Sequence, residues 1–600
     1  MRFLILIFSF SLLFSQNINE LLKEYAKKND LSNETKIENR GLLILYTHHD
    51  IEKMQALTLK DLLKSIPFLG YKETRYAVPS LLYSGGFFPV GNDVKVYVDD
   101  TEIIVPSYSS AFSIYGDIDL GNIDYVEVYY INPSFENYSD SGLYVIKLYT
   151  KDPKRYIGVD LKTSFANRGY NMSSIFLSDE NKFLYVNRFN DKEKKYNDSS
   201  KNQKRYNIFF KYQKYNSQIE FNLVNNSKDV FFANSLDAKP DYAHTNYNFY
   251  VLSYMYKSSN LKFKAQYNGG VKHFKSKENP YLFFIGSKPI FSYEDKTSEK
   301  AYITDLSYKN RINKNRFIMG LKYNKSIFPH KIFKINNLDK NLSGYKVRDT
   351  FTSYLEYQYI YSIKSIIGGG VSYVYLKNYN GPKSKGYFNY KLSYTYNNKK
   401  YLYKSFLYKT YKIYAPYLYD FILVDKRYLK SYPNLFIGQS LKRKYKDGYT
   451  NLFLYFNKTK ATDYKTFAKY INMIGGYISY VKNLNMDNSI LSRIEYSKTL
   501  NSFKNKHLYE RAFYLRYLGK YLDYSFFNEF LMRNTNFVSD KKYYFDLNIG
   551  VKRKIKNFII AFKGVNILNR GFKESVYSID GYKKFDIDSR KFILSLEYRF

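Results

Sequence analysis

Cysteine is missing from this chain of 600 residues. Its absence excludes disulfide scaffolds, thiolate metal sites and cysteine nucleophiles. Histidine is scarce, with only His48, His49, His244, His273, His330 and His507. The one adjacent pair, His48 and His49, points to opposite faces if extended, so it makes no metal site alone and reads as solvent-exposed. Long apolar runs are lacking as well. Beyond the amino-terminus none reaches the roughly 18 residues that a spanning helix needs, which excludes a helical membrane protein. There is no glycine-rich phosphate loop, metalloprotease helix or nucleophile elbow, and no aspartate run with calcium spacing. The sequence therefore predicts no catalytic residue, no metal site, no cofactor and no enzyme.

Acidic residues are outnumbered. Against 54 Asp and Glu stand 94 Lys and Arg, a net charge of +40. The basic residues are spread along the whole chain, which argues against nucleic acid as a partner. A bias toward Lys, Asn, Tyr and Ile, with contacts to lipid phosphates, accounts for the charge. A basic lumen that draws in anionic solutes is the other membrane reading.

Aromatic surface is abundant. Tyrosine (71) and phenylalanine (48), without tryptophan, make 20% of the chain. The mean hydropathy of −0.49 nevertheless looks soluble. A membrane barrel wall reconciles the two, because alternation averages the hydropathy and amphipathic aromatics gather at both interfaces. The carboxy-terminus shows the pattern best. Phe592, Leu594, Leu596, Tyr598 and Phe600 fall on one face of a strand; Lys591, Ser595, Glu597 and Arg599 fall on the other, with Ile593 the exception. Left open, such a strand is an aggregation-prone edge; in a closed barrel it pairs with the first strand, and its apolar face serves as the barrel-assembly signal.

The same period of two recurs upstream. Phe351, Ser353, Leu355, Tyr357 and Tyr359 alternate with Thr352, Tyr354, Glu356 and Gln358. After a turn near Ser362, Ile367, Gly369, Val371, Tyr373 and Tyr375 continue it, with Gly368-Gly369-Gly370 relieving crowding inside the strand. Phe545, Leu547, Ile549 and Val551 face away from Asp546, Asn548, Gly550 and Lys552. About 445 residues from 154 onward, at about 20 per strand and connection, give on the order of 22 strands, with 18 or 20 also permitted. Inward residues such as Glu356, Gln358, Asp546 and Lys552 would either bind a ligand or hold an inner domain in place; the sequence leaves both open.

The front of the chain differs. Met1-Arg2 and an apolar stretch from Phe3 to Phe14 predict a signal peptide over 1–15, cleaved near Ser15-Gln16. A polar lead-in, 16–40, follows, with a short helix around 21–25. From 41 to 153 the pattern is compact α/β. Thr58 caps a helix with Asp61 three residues on; Leu59, Leu62, Leu63 and Ile66 form its apolar face and Pro67 stops it. Strands are predicted over Val94–Val98, ending in a turn at Asp99-Asp100, and over Ile123–Tyr129 and Leu143–Tyr149.

This segment resembles the plug domain of TonB-dependent outer-membrane receptors. Ile51-Glu52-Lys53-Met54-Gln55-Ala56 with Thr58 to Pro67 resembles the family's opening helix. Val94 to Asp100 resembles the strand that ends in Asp-Gly, Ile118 to Val128 the asn-ile–glu–val stretch, and Val145 to Lys151 the exit strand. Near the other end, Gly564-Val565-Asn566-Ile567-Leu568-Asn569-Arg570 resembles the asparagine-leucine turn before the last hairpin. The chain departs from the family where Tyr83-Ser84-Gly85-Gly86-Phe87 and Tyr130-Ile131-Asn132-Pro133-Ser134 replace Arg-Gly motifs, and where Asp100 replaces glycine.

The resemblance implies a mainly β fold: a transmembrane antiparallel β-barrel of about 22 strands with an N-terminal α/β plug inside its lumen. It implies an outer-membrane receptor that imports an iron chelate, cobalamin or other metal complex with TonB energy. Leu43-Ile44-Leu45-Tyr46-Thr47 is then either the energy-coupling segment or an ordinary first plug strand. Ser84, Gly85, Gly86, Asn132 and Pro133 become plug apices that meet cargo. Expected partners are a TonB-type protein, the barrel-assembly machinery, outer-membrane lipids and the solute, with the receptor itself monomeric. The rivals are a passive or uncoupled channel and a surface adhesion or structural barrel.

Overall fold

A computed structural model describes residues 42–600 except 69, 74–78, 83–93, 108–109, 131–133, 138–143, 197–198, 231–242, 279–282, 286–287, 341–345, 363, 380–382, 413–431, 461–469, 486, 501–508, 536–542, 572, 579–580 and 587–588. The signal peptide, the lead-in with its helix, the 83–87 segment and Asn132-Pro133 lie outside these residues.

The amino-terminal part is a five-stranded sheet with short helices. β1 (Leu42–Tyr46), β2 (Val94–Val98), β3 (Thr101–Ile103), β4 (Ile123–Tyr130) and β5 (Tyr144–Thr150) lie in the order β1-β4-β5-β2-β3. Only β2 and β5 run parallel. The three predicted strands are therefore present, with β5 one residue later than expected. Val94, Val96, Val98, Val126, Val128, Ile146 and Leu148 enter the core through their alternation.

The expected opening helix is two helices. α1 (His48–Lys53) and α2 (Leu59–Leu63) are separated by a break at which Gln55 takes φ 48°. Each starts on a threonine with an acid three residues later. Asp50 accepts from Thr47 N at 3.0 Å, and Asp61 from Thr58 N at 3.2 Å. His48 and His49 thus lie on a helix and not on a strand, and His48 is half-buried. The Asp99-Asp100 turn puts its left-handed residue at Asp99, φ 50°. Asp100 stands where the family has glycine, but the left-handed residue is the one before it, and the Asp99 carboxylate accepts from Thr150 N at 2.8 Å.

From Gly158 onward the chain is a closed antiparallel barrel of 22 wall strands. A short side hairpin, His330–Ile335 with Leu338–Asp339, adds to the extended end of Tyr293–Ile312. The last strand, Lys591–Arg599, pairs with Phe558–Val565 on one side and with the first wall strand, Gly158–Ala166, on the other. Its aromatic face is outward: Phe592, Leu594, Leu596 and Phe600 are exposed, as are Leu161, Leu252, Leu355, Leu454 and Ile494 elsewhere. An exposed apolar face on every side of a closed wall is a lipid-facing belt. Ile593, the exception, points inward and packs with Leu57, Tyr170, Met172 and Phe189.

Gly158 sits at the closure with φ 129°, and a Cβ there would lie 2.5 Å from the Phe600 carbonyl oxygen. The wall has two unlike ends. Turns such as 215–216, 313–314 and 556–557 are short, whereas 231–242, 413–431 and 500–508 join strands at the opposite end. Short turns mark the periplasmic end of such barrels. Phe600 lies there, because Arg599 N donates to Asn557 O.

Candidate functional site: the plug in the barrel lumen

The α/β segment lies inside the barrel and is bound to nearly every wall strand. Its acids meet inward-facing bases. Asp117 lies 3.1 Å from Arg205 and 3.2 Å from Lys228. Lys211 donates to Asp99 at 2.7 Å, and Lys322 pairs with Glu102. Glu136, in a 3-10 turn over Phe135–Asn137, sits between Lys262 at 2.8 Å and Lys309 at 2.9 Å. Asp61 lies 3.4 Å from Lys563. The inward bases that opposite-sign plug residues meet thus absorb part of the chain's positive charge.

Burial alone raises these carboxyls, but the facing cations win. Lys228 and Arg205 hold Asp117 below the usual carboxylate range, and Lys262 and Lys309 hold Glu136 well below it. Lysine 147 feels the reverse: burial lowers its pKa, although Asp100 and Glu127 oppose the shift.

The wall also supplies acids. Glu356 accepts from Ser134 Oγ at 3.1 Å and from Phe135 N, and Lys391 donates to it at 2.6 Å. A Cβ on Gly370 would come within 3.0 Å of Glu356 Cγ and 3.1 Å of Lys391 Cε, so the glycine run makes room for this pair. Asp546 lies 3.5 Å from Lys64, and Lys552 Nζ 3.7 Å from Glu52. Of the two readings open for Glu356, Asp546 and Lys552, their contacts in this structure are those of plug retention. Gln358 is buried at the same inward face.

The attachment is lopsided. Over strands 401–483 it is aromatic: Phe68 of the plug packs on Tyr455 at 5.2 Å and Tyr477 at 6.0 Å, and Tyr130 on Phe436 and Phe453. Next to it, Glu495 accepts from Phe68 N at 2.9 Å and pairs with Arg493 at 2.7 Å and Arg533 at 3.2 Å. These wall charges were not singled out in the sequence. Their signal is parity: Arg493 and Glu495 sit two residues apart on the inward face of one strand.

Residues 43–47 occupy two elements. Leu43, Ile44, Leu45 and Tyr46 belong to β1, and Thr47 caps α1. β1 is the outer strand of the sheet, and among the described residues no strand pairs with its far edge. Tyr46 Oη contacts Ser65 Oγ at 2.6 Å and donates to Leu62 O at 3.2 Å, which ties the strand to α2. No group of three or more His, Asp or Glu capable of holding a metal occurs among the described residues.

No protein-family profile and no curated protein matches the sequence. Solved structures do match in shape. The ferric-catecholate import receptor Fiu from E. coli K12 is 12% identical, with 93% of this chain and 96% of that chain covered and a TM-score of 0.66. The FrpB iron transporter from Neisseria meningitidis is 12% identical over 93% and 99%, with a TM-score of 0.70. The copper transporter OprC is 11% identical over 93% and 100%, also at 0.70. Plug and wall match together in each, so the chain has the fold of TonB-dependent receptors.

Proposed function

We propose that the protein is an outer-membrane receptor that imports a scarce solute, an iron chelate, cobalamin or another metal complex, with energy from the TonB system. The plug carries this reading. A lumen occupied by a domain bound to nearly every wall strand passes nothing until that domain moves, and breaking buried ion pairs takes work. The cargo class rests on the fold neighbours, which include a ferric-catecholate import receptor, an iron transporter and a copper transporter.

Leu43 to Thr47 form the coupling segment in this account. The free edge of β1 would accept a strand from the energy-transducing protein by β-augmentation, and Tyr46 would pass the pull to α2. Ser84, Gly85, Gly86, Asn132 and Pro133 are the plug residues that would meet cargo in this account. The chain divides into a signal peptide over 1–15, a lead-in over 16–40, the plug over 41–153 and the barrel over 154–600. It acts as a monomer, with the Phe592–Phe600 face read during barrel assembly.

Planar-bilayer conductance tests the plugged state. The intact protein is expected to be silent, and a variant lacking 42–150 to conduct. Steady large conductance of the intact protein would favour the passive channel.

A further inference from the structure

The wall strands Ser217–Val230 and Ala243–Lys257 pair up to the 231–242 connection, at the end away from Phe600. Lys228 reaches inward to Asp117 of the plug, and Val230 and Ala243 are buried together. By the period of two, Ser227, Asp229 and His244 therefore point outward. Strand register puts Asp229 opposite His244 and Ser227 opposite Asn246, in neighbouring rows of the same face. Toward the Phe600 end that face is apolar: Ile219, Phe221 and Leu223 on one strand, with Leu252 opposite Phe221. Ser227 stands four residues beyond Leu223, about 13 Å along the strand, with the hydrogen-bonded Asn225 and Asn248 between them. At that height the hydrocarbon of the outward leaflet gives way to its ester linkages and headgroups.

The three outward side chains are joined in series. Ser227 Oγ lies 2.8 Å from His244 Nε2, and His244 Nδ1 lies 2.9 Å from Asp229 Oδ1. A carboxylate only accepts, so Nδ1 carries the proton and Nε2 is left to accept from the Ser227 hydroxyl. The other Asp229 oxygen accepts from Asn202 N at 3.0 Å and from Asn202 Nδ2 at 2.9 Å, which anchors the carboxylate from a third strand. A hydroxyl bonded to an imidazole whose far nitrogen is held by an anchored carboxylate is the arrangement that activates a serine. The His244 ring is half exposed, so the hydroxyl it holds can be reached from outside. Asn246, beside Ser227, has its Oδ1 buried without a hydrogen-bond partner, which leaves its amide available to this site.

We propose that Ser227, His244 and Asp229 form a second site on the outer surface of the wall, one that hydrolyses the carboxylic esters of lipids in the outward leaflet. Ser227 Oγ attacks the ester carbonyl carbon while its proton passes to His244 Nε2. The Asn246 amide donates to the oxyanion. The bond from carbon to the alcohol oxygen then breaks, and the departing alcohol takes the proton from Nε2. Water attacks the acyl group left on Ser227, giving its proton to Nε2; the fatty acid leaves and Ser227 recovers its proton. Asp229 touches no substrate and acts as the positioning residue, holding the imidazole in the tautomer the reaction needs. Lying outside the lumen, the site depends on neither cargo nor energy coupling.

The test uses the full-length protein in detergent. A fluorophosphonate, which bonds to an activated serine with loss of fluoride, is expected to label the natural protein, and peptide mass mapping to place the label on Ser227. That result needs no variant. In mixed micelles with dioleoyl phosphatidylethanolamine, the natural protein is expected to release free oleic acid, and the dialkyl ether analogue, which has no ester, to stay intact. S227A is expected neither to label nor to release oleic acid. H244A and D229N are expected to lower kcat about 10⁴-fold, with KM unchanged, while keeping heat-modifiable gel mobility. A natural protein labelled at another residue or not at all would overturn the proposal. So would the release of no oleic acid, release by S227A at the natural rate, or a D229N variant with full kcat.

Discussion

Glu52 Oε1 lies 2.6 Å from Arg599 Nη2, so the first plug helix is ion-paired to the penultimate residue of the chain. Barrel closure and plug seating meet at this contact. Burial raises the Glu52 carboxyl, and His48, Lys552 and Arg599 bring it far below its ordinary value. Around the pair is a cavity of about 90 Å³, lined by Lys151, Lys162, Lys552 and Glu597 among others. Because both partners are partly exposed, R599Q is expected to destabilise plug seating by only about 1 kcal/mol. Brief conductance openings in bilayers, absent from the natural protein, would register it.

A larger effect is expected where the wall charges are dry. Arg533 is fully buried and lies 3.2 Å from both Glu495 and Glu510. R533A leaves two buried carboxylates short of a partner, which destabilises by about 3–5 kcal/mol. The urea midpoint for loss of heat-modifiable gel mobility should fall accordingly.

Acid should loosen the plug. Asp117, Asp99, Glu136 and Asp61 all have folded pKa values below their ordinary ones. A depressed carboxylate contributes stability that is complete above the unfolded value, about 4. That contribution is lost as pH falls through the folded value. Conductance is therefore expected to stay closed from neutral pH to about 4 and to rise progressively as pH falls further. D117N should leak at neutral pH, since Arg205 and Lys228 lose their counter-charge.

Closure itself can be probed at one glycine. With φ 129° and the Phe600 carbonyl 2.5 Å from a would-be Cβ, G158A cannot keep the first strand in register with the last. The yield of heat-modifiable barrel is expected to fall, whereas G369A, whose Cβ would meet Leu392 Cδ2 at 3.3 Å, should assemble.

The wall was legible in the sequence because period-two alternation is a local signal, and it gave the correct outward face for Phe351 to Tyr357 and for Phe592 to Leu596. Ile593 broke the pattern because it packs on Leu57 of the plug, a contact more than 500 residues away in sequence. The same distance hid the plug–wall pairs: nothing near Glu356 announces that Phe135 will donate to it. Asn566 and Asn569 stood out only through the resemblance of their stretch to the family's asparagine-leucine turn; in the structure they adopt φ 48° and 49°, a left-handed conformation that asparagine tolerates. Gln55 carries no such signal, so the break between α1 and α2 was invisible.

The most direct test of energy-coupled import is uptake in a deletion strain. Labelled iron chelates, cobalamin and copper complexes would be offered to cells carrying the natural protein or a variant lacking 42–47, with and without a protonophore. The account predicts that one cargo accumulates with the natural protein and that both the deletion and the protonophore abolish it. Uptake that survives both, or no uptake of any of these cargoes, would contradict it.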